Sequence, residues 1–407
     1  MPRSDPFPPL DGDALAHSER LRAVIGAQIA AAGGAVPFSR FMELALYAPG
    51  LGYYSAGAAK FGRAGDFVTA PELGALFAEC IAGAVAPVLR QLADDARAGD
   101  ATFMEIGGGS GAFAEHTIAR LASVEALPAR YAILEPSADL RERQRERLRR
   151  CLPADVFARV DWLDAPIQTP WHGVVFANEV LDALPTPRFA LHGGEVFEEY
   201  VALDARGDFV RVDRPADALL TAAVRLVERQ RAGADGERRF AEGYRSELLP
   251  QLPYWLQVVI GGLQSGALLF VDYGYPRREY YHRDRRDGTL RAFHRHRMTN
   301  DVYARVGLQD LTASVDFTAL AESGSDAGFA FVGYCSQASL LIGNGLEQRL
   351  AEHEARARDE AARYALRQQA KQLTLPGAMG ERFQAMGFAR DVDFGAAFIA
   401  GDLSFRL

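Results

Sequence analysis

The chain has 407 residues, 49% hydrophobic and 24% charged, ordinary values for a globular protein with an ample core. Its net charge of −8 excludes a general nucleic-acid footprint, and Cys80, Cys151 and Cys335 are too few and too scattered for a metal-ligand spacing or a disulfide framework. The first twenty residues lack an apolar leader and no run of about eighteen apolar residues occurs, so no targeting segment or membrane span is expected and a cytoplasmic location is the default.

In chain order, residues 1–95 are expected to form a helical segment, from ALAHSERLRAVIGAQIA, FSRFMELALY and ELGALFAECIAGAVAPVLRQLA, around a glycine-rich loop. Within that loop, KFGRAGDFVTAPE (60–72) has the glycines and acids of a lid across a small-molecule cleft, with Gly65, Thr69 and Pro71 expected against the ligand. Tyr53, Tyr54 and Phe67 are either core side chains or ring faces for a cation.

Next comes FMEIGGGSGAF (103–113), a short apolar run followed by Gly107, Gly109 and Gly111 and then a helical pattern. Glycines at this density at a strand-to-helix turn let backbone N–H groups approach a nucleotide-like ligand. Gly107, Gly109 and Ala112 also satisfy a dinucleotide fingerprint, whose pyrophosphate rests on the helix N-terminus. Glu105, two residues before the first glycine, repels a pyrophosphate and suits a cation, which favours S-adenosyl-L-methionine, with its ammonium and sulfonium and no phosphate.

From about residue 100, strands and helices alternate as in a doubly wound sheet: after the first strand, YAILEP (131–136), VDWLD (160–164), GVVFANEVL (173–181) and GALLFVDYG (266–274), with DLTASVDF (310–317) and GFAFVGYC (328–335) available to close it. Ligands of such sheets lie at the strands' carboxyl ends, where four acidic positions occur: Glu105, Glu135, Asp164 and the Asn178–Glu179 pair with Asp182 behind it. Glu135 is spaced to take ribose hydroxyls, Asp164 to accept from an adenine amino group, and Asn178 to bond a methionine moiety. Glu179, Asp182 and Asp272 could grip a cationic acceptor, since a guanidinium stays charged in water and carboxylates orient it bidentately. His282, His294 and His296 lack the spacing of a metal site.

The long gap between the fourth and fifth strands holds an alternating stretch that turns at ARGD and then helices to about 263, an insertion at about 190–263 within a core of 96–345. Residues 346–407 are expected to be a C-terminal helical extension.

Taken together, FMELALYAPGLGYY, GDFVTAPE, EIGGGSGAFA, FANEVLDALPTPRF, VDYGY, GTLRAFHRHR, DLTASVDF and LTLPGAMGERF resemble the MidA family of S-adenosylmethionine-dependent methyltransferases over nearly the whole chain. The resemblance implies a class I methyltransferase (Rossmann-like) fold, a cofactor loop at Gly107, Gly109 and Gly111, and a substrate-facing Glu179. It also implies a protein acceptor, an arginine of a respiratory complex I subunit in the mitochondrial relatives. Two other functions fit the same residues: a small-molecule methyltransferase closed by the lid and insertion, and an assembly factor that binds the cofactor without turnover.

Overall fold

The computed structural model describes residues 10–55, 69–95, 100–230, 239–295 and 297–407. Gly65 and Phe67 of the expected lid, and His296, lie outside them. The chain divides into two compact units, one from the described residues of Met1–Phe67, Leu181–Gln251 and Arg277–Ser314, the other from those of Val68–Val180, Leu252–Pro276 and Val315–Leu407.

The second unit holds the doubly wound sheet. Its strands are β1 (Thr102–Ile106), β2 (Arg130–Leu134), β3 (Val160–Leu163), β4 (Trp171–Asn178), β5 (Leu263–Tyr275), β6 (Ala330–Ser336) and β7 (Phe383–Arg390). They lie in the order β6-β7-β5-β4-β1-β2-β3, and Val315–Asp316 pairs with the end of β5. β1 to β5 run parallel, whereas β7 is antiparallel to both β5 and β6. β1 and the middle of β5 are buried throughout, which is why they read as continuous apolar runs rather than alternating ones.

Helix α1 (Ala75–Asp94) buries twelve residues in the core of this unit, and α2 (Ala112–Ser123) and α3 (Ala138–Cys151) follow β1 and β2. Length and composition alone would let α1 cross a membrane, but 67% of its apolar window is packed inside the protein. Phe113 on α2 stacks on Phe176 of β4 with centroids 4.3 Å apart and also touches Phe103 of β1. That aromatic contact seats the first turn of α2 over the strand pair where the sheet order reverses.

Two sequence expectations are corrected here. DLTASVDF does not form a closing strand: Asp310–Thr312 pairs with Arg291–His294 in a separate three-stranded sheet, and only Val315–Asp316 reaches β5. The C-terminal residues 346–407 are not simply a helical extension, because β7 is inserted between β5 and β6 over an eight-residue register from Gly266↔Arg390 to Tyr273↔Phe383. FQAMGFAR is short and interrupted by Gly387, so its pattern does not distinguish a buried strand from a helix fragment.

In the first unit the insertion folds as hairpins, Arg188–His192 with Glu195–Leu203 and the latter with Phe209–Pro215, the second turning through ARGD as expected. The N-terminal strand Ala35–Pro37 pairs with Glu195–Leu203, so the insertion and N-terminus form one body and α1 belongs to the other.

Candidate cofactor and transfer site

The loop between β1 and α2 has Gly107 at φ +71°, Gly109 at +52° and Gly111 at +80°, all left-handed, a conformation costly for a residue with Cβ. Gly107 N–H donates to Leu134 O at 3.0 Å and Gly111 N–H to Gly108 O at 2.8 Å, which fixes the bend. A Cβ on Gly109 would meet nothing within 4 Å, leaving that side of the backbone open to a ligand.

Glu135, just beyond β2, is buried and turned toward this bend. Its Oε1 accepts from Ser137 N–H at 3.0 Å and its Oε2 from Gln144 Nε2 at 3.3 Å, while Gln144 Nε2 also donates to Gly109 O at 2.9 Å. Burial raises the Glu135 pKa, and the bonds from Ser137 and Gln144 oppose that rise. Glu105 is equally buried, but its Oε2 accepts the Tyr131 hydroxyl at 2.8 Å. Burial pushes its pKa up to about 8, with Glu135 adding to the rise and Tyr131 opposing it. At neutral pH burial therefore favours the neutral acid, not the ionised carboxylate expected from its position. Asp164 is not drawn into this buried group: its side chain is 87% exposed and pairs with Arg141.

At the exit of β4, Asn178 Nδ2 donates to Glu179 Oε1 at 3.0 Å, and Asn178 Oδ1 is buried without a hydrogen-bond partner. An ammonium group, such as that of the cofactor's methionine moiety, has the donors to satisfy that oxygen. Glu179 adopts φ +54°, an outlier for a residue with a side chain, and its N–H donates to Val271 O at 3.0 Å. Asp272, expected to face the acceptor, is 1% exposed; Oδ2 accepts from Val180 N–H at 3.1 Å and Oδ1 from Tyr273 N–H at 2.8 Å. Its oxygens hold the backbone that presents Glu179.

Asp182 lies in the other unit, 5% exposed, where its carbonyl accepts from Ala313 N–H at 2.9 Å. Nearby, Tyr54 donates to Asp310 Oδ1 at 3.0 Å and stacks on Tyr47; burial, Asp310 and Asp182 all raise its pKa. Tyr53 is a core side chain at 1% exposure.

Of the lid segment, Thr69 is buried and Pro71 belongs to the short turn Ala70–Leu73, whose Glu72 carboxylate accepts the hydroxyl of Ser110 in the glycine loop. Sequence reading had Glu72 only as one of the acids of the lid segment, and it missed Gln144. A signal existed for the second: Leu140, Gln144 and Leu148 occupy successive turns of the buried face of α3, so a lone amide interrupts an apolar stripe in an otherwise charged helix.

The first unit carries a cavity of 1070 Å³ whose lining includes Arg188, Glu199, Arg211, Asp287 and Tyr303. Arg188 is 6% exposed and binds Glu199, Glu247 and Asp287 at 2.9–3.1 Å, so these charges are engaged with one another. Among the described residues no group of His, Cys, Asp or Glu could hold a metal ion, and all three cysteines are free thiols.

A family model described as S-adenosyl-L-methionine-dependent methyltransferase matches residues 80–335. The chain is 26% identical over 393 residues to the mitochondrial protein arginine methyltransferase NDUFAF7 homolog of Caenorhabditis elegans, spanning 89% of this chain and 84% of the relative. The Danio rerio mitochondrial protein arginine methyltransferase NDUFAF7 is 26% identical over 387 residues, with 87% and 83% covered. A Burkholderia thailandensis protein crystallised with S-adenosyl-homocysteine is 42% identical, superposes with a TM-score of 0.88, and is covered completely by 98% of this chain. The strand order and these likenesses make the sheet unit a class I methyltransferase fold.

Proposed function

The chain belongs to the family of S-adenosyl-L-methionine-dependent methyltransferases, and from that premise we propose that it methylates an arginine side chain of a partner protein. The single observation that carries the acceptor reading is the Asn178–Glu179 turn: a carboxylate on strained left-handed backbone, held by Val271 O and steadied through Val180 by Asp272. Relatives spanning most of this chain are named protein arginine methyltransferases, which supports the same reading. The partner is read as a respiratory-complex subunit, from the family resemblance, and the compartment as cytoplasmic.

The cofactor, when bound, supplies an electrophilic methyl group on a sulfonium. Gly107, Gly109 and Gly111 form the backbone cradle, Glu135 takes the ribose hydroxyls and Asn178 Oδ1 the ammonium. Glu105, Thr69 and Pro71 border that cradle, and Asp164 serves the adenine from the rim. Glu179 pairs with the acceptor guanidinium and turns one nitrogen toward the methyl carbon. As the N–C bond forms and the S–C bond breaks, S-adenosyl-homocysteine is the leaving group and the proton given up by the nitrogen passes to water, while Glu179, still ionised, stabilises the single positive charge left on the methylated guanidinium. Asp272 acts by positioning that turn.

To test this, the purified protein is incubated with labelled S-adenosyl-L-methionine and a lysate, and acceptors are read by mass spectrometry. Methylarginine on one or a few proteins, lost with Glu179→Gln, is the expected result. Saturable cofactor binding with label only on small molecules, or on no acceptor, overturns the protein-arginine reading.

A further inference from the structure

Gln144 is fully buried, and its amide spends its polar groups on three different elements of the sheet unit. Nε2 donates to Gly109 O at 2.9 Å and to Glu135 Oε2 at 3.3 Å, and Oε1 accepts from Trp162 Nε1 of β3 at 2.9 Å. The orientation is dictated by the partners, because an indole N–H can only donate and a backbone carbonyl can only accept. The glycine loop also lies directly on this residue. A Cβ on Gly108 would come within 2.9 Å of Gln144 Nε2, and one on Gly111 within 3.3 Å of its Cα. The close approach of α3 through Gln144 thus gives the loop a reason for its glycines besides ligand access.

We propose that Gln144 is the positioning residue of the ribose subsite, holding Glu135 and the glycine loop in one fixed relation. This rests on the reading of Glu135 as the ribose acid and is independent of what the acceptor is. A carboxylate offers about four lone-pair sites, so Glu135 keeps capacity for a ribose hydroxyl while Ser137 and Gln144 hold it from the protein side. Without the Gln144 donor, Glu135 loses one of its protein partners and Gly109 O its anchor. Ribose hydroxyls then meet a carboxylate held less firmly from the protein side, and the ligand must supply more of its ordering.

The test is a thermodynamic cycle between residue and ligand, measured by calorimetry on the full chain. The ligands are S-adenosyl-homocysteine and an analogue without the 2′- and 3′-hydroxyls; the variant is Gln144→Met, which keeps length and removes both donors. The expected result is that Gln144→Met weakens S-adenosyl-homocysteine by roughly ten-fold or more and the analogue by less than about three-fold. Equal losses for both ligands, or no loss for either, overturn the proposal. If the wild type itself does not distinguish the two ligands, the ribose role of Glu135 fails and the proposal falls with it. Melting of the ligand-free protein checks folding. Should Gln144→Met not fold, Gln144→Glu keeps the acceptor for Trp162 and places a like charge beside Glu135. It is expected to weaken S-adenosyl-homocysteine by at least as much, and unchanged affinity would overturn the proposal.

Discussion

Asp272 accepts the backbone N–H of Val180 at 3.1 Å, so a carboxylate inside β5 holds the turn by which β4 delivers Glu179. The bond joins adjacent parallel strands at the carboxyl edge of the sheet, where class I methyltransferases bind their cofactor.

Asp272→Ala leaves the half-buried N–H groups of Val180 and Tyr273 without this acceptor, and should destabilise the protein by about 1–3 kcal/mol. Asp272→Asn, which retains an acceptor oxygen, should cost less. Urea unfolding of both variants measures the difference, and equal stabilities would show that the turn finds other partners.

At Glu179 the backbone pays for its left-handed conformation, so Glu179→Gly should leave stability unchanged or raise it by up to about 1 kcal/mol. Methyl transfer should fall by roughly a hundred-fold or more, because the charge at the acceptor is lost. Thermal unfolding and single-turnover transfer separate the two effects. A loss of several degrees in Tm would mean that the side chain, not the strain, dominates.

The sign of the Glu105 pH dependence follows from its raised pKa. The folded protein holds a proton on Glu105 up to about pH 8, while an exposed glutamate releases it near 4.5. Stability from this group is full below pH 4.5 and declines as pH rises to 8, since there the unfolded chain binds fewer protons than the folded one. Ligand-free Tm should fall across that window, and Glu105→Gln should flatten the slope. An unchanged slope in the variant would assign the dependence to another group.

Arg188 stands between two carboxylates that are 0% exposed, Glu199 and Glu247. Arg188→Ala leaves both without their central cation and should cost about 3–5 kcal/mol, with Arg188→Lys intermediate because a single ammonium cannot make the three-way fork. Denaturant titration checks the order. A cost below about 1 kcal/mol for Arg188→Ala would show that Arg245 and Arg211, which also approach Glu199, suffice.

The elements legible in the sequence were those whose own period or punctuation specifies them. FSRFMELALY forms the helix Phe38–Tyr47 as its spacing demands, and the parallel strands appear as apolar runs bounded by acids and glycines. The glycine loop was legible because left-handed backbone and close approach restrict a position to one residue type. β7 was not, since its identity as a strand comes from neighbours on both sides rather than from its own pattern. Among the acids, position at a strand end suggested one role for all, yet Glu135 meets the loop, Glu105 bonds Tyr131, Asp164 faces water and Asp272 clamps a turn.

Sequence alone determined that this chain carries a strand, a glycine bend and a helix fit for a nucleotide-like ligand, because those constraints are local to eleven consecutive residues, 103–113. Tertiary structure decided what each carboxylate does and which residue supports it. Burial, protonation and hydrogen-bond partners depend on side chains brought together from distant segments, as Gln144 is to Gly109 and Trp162.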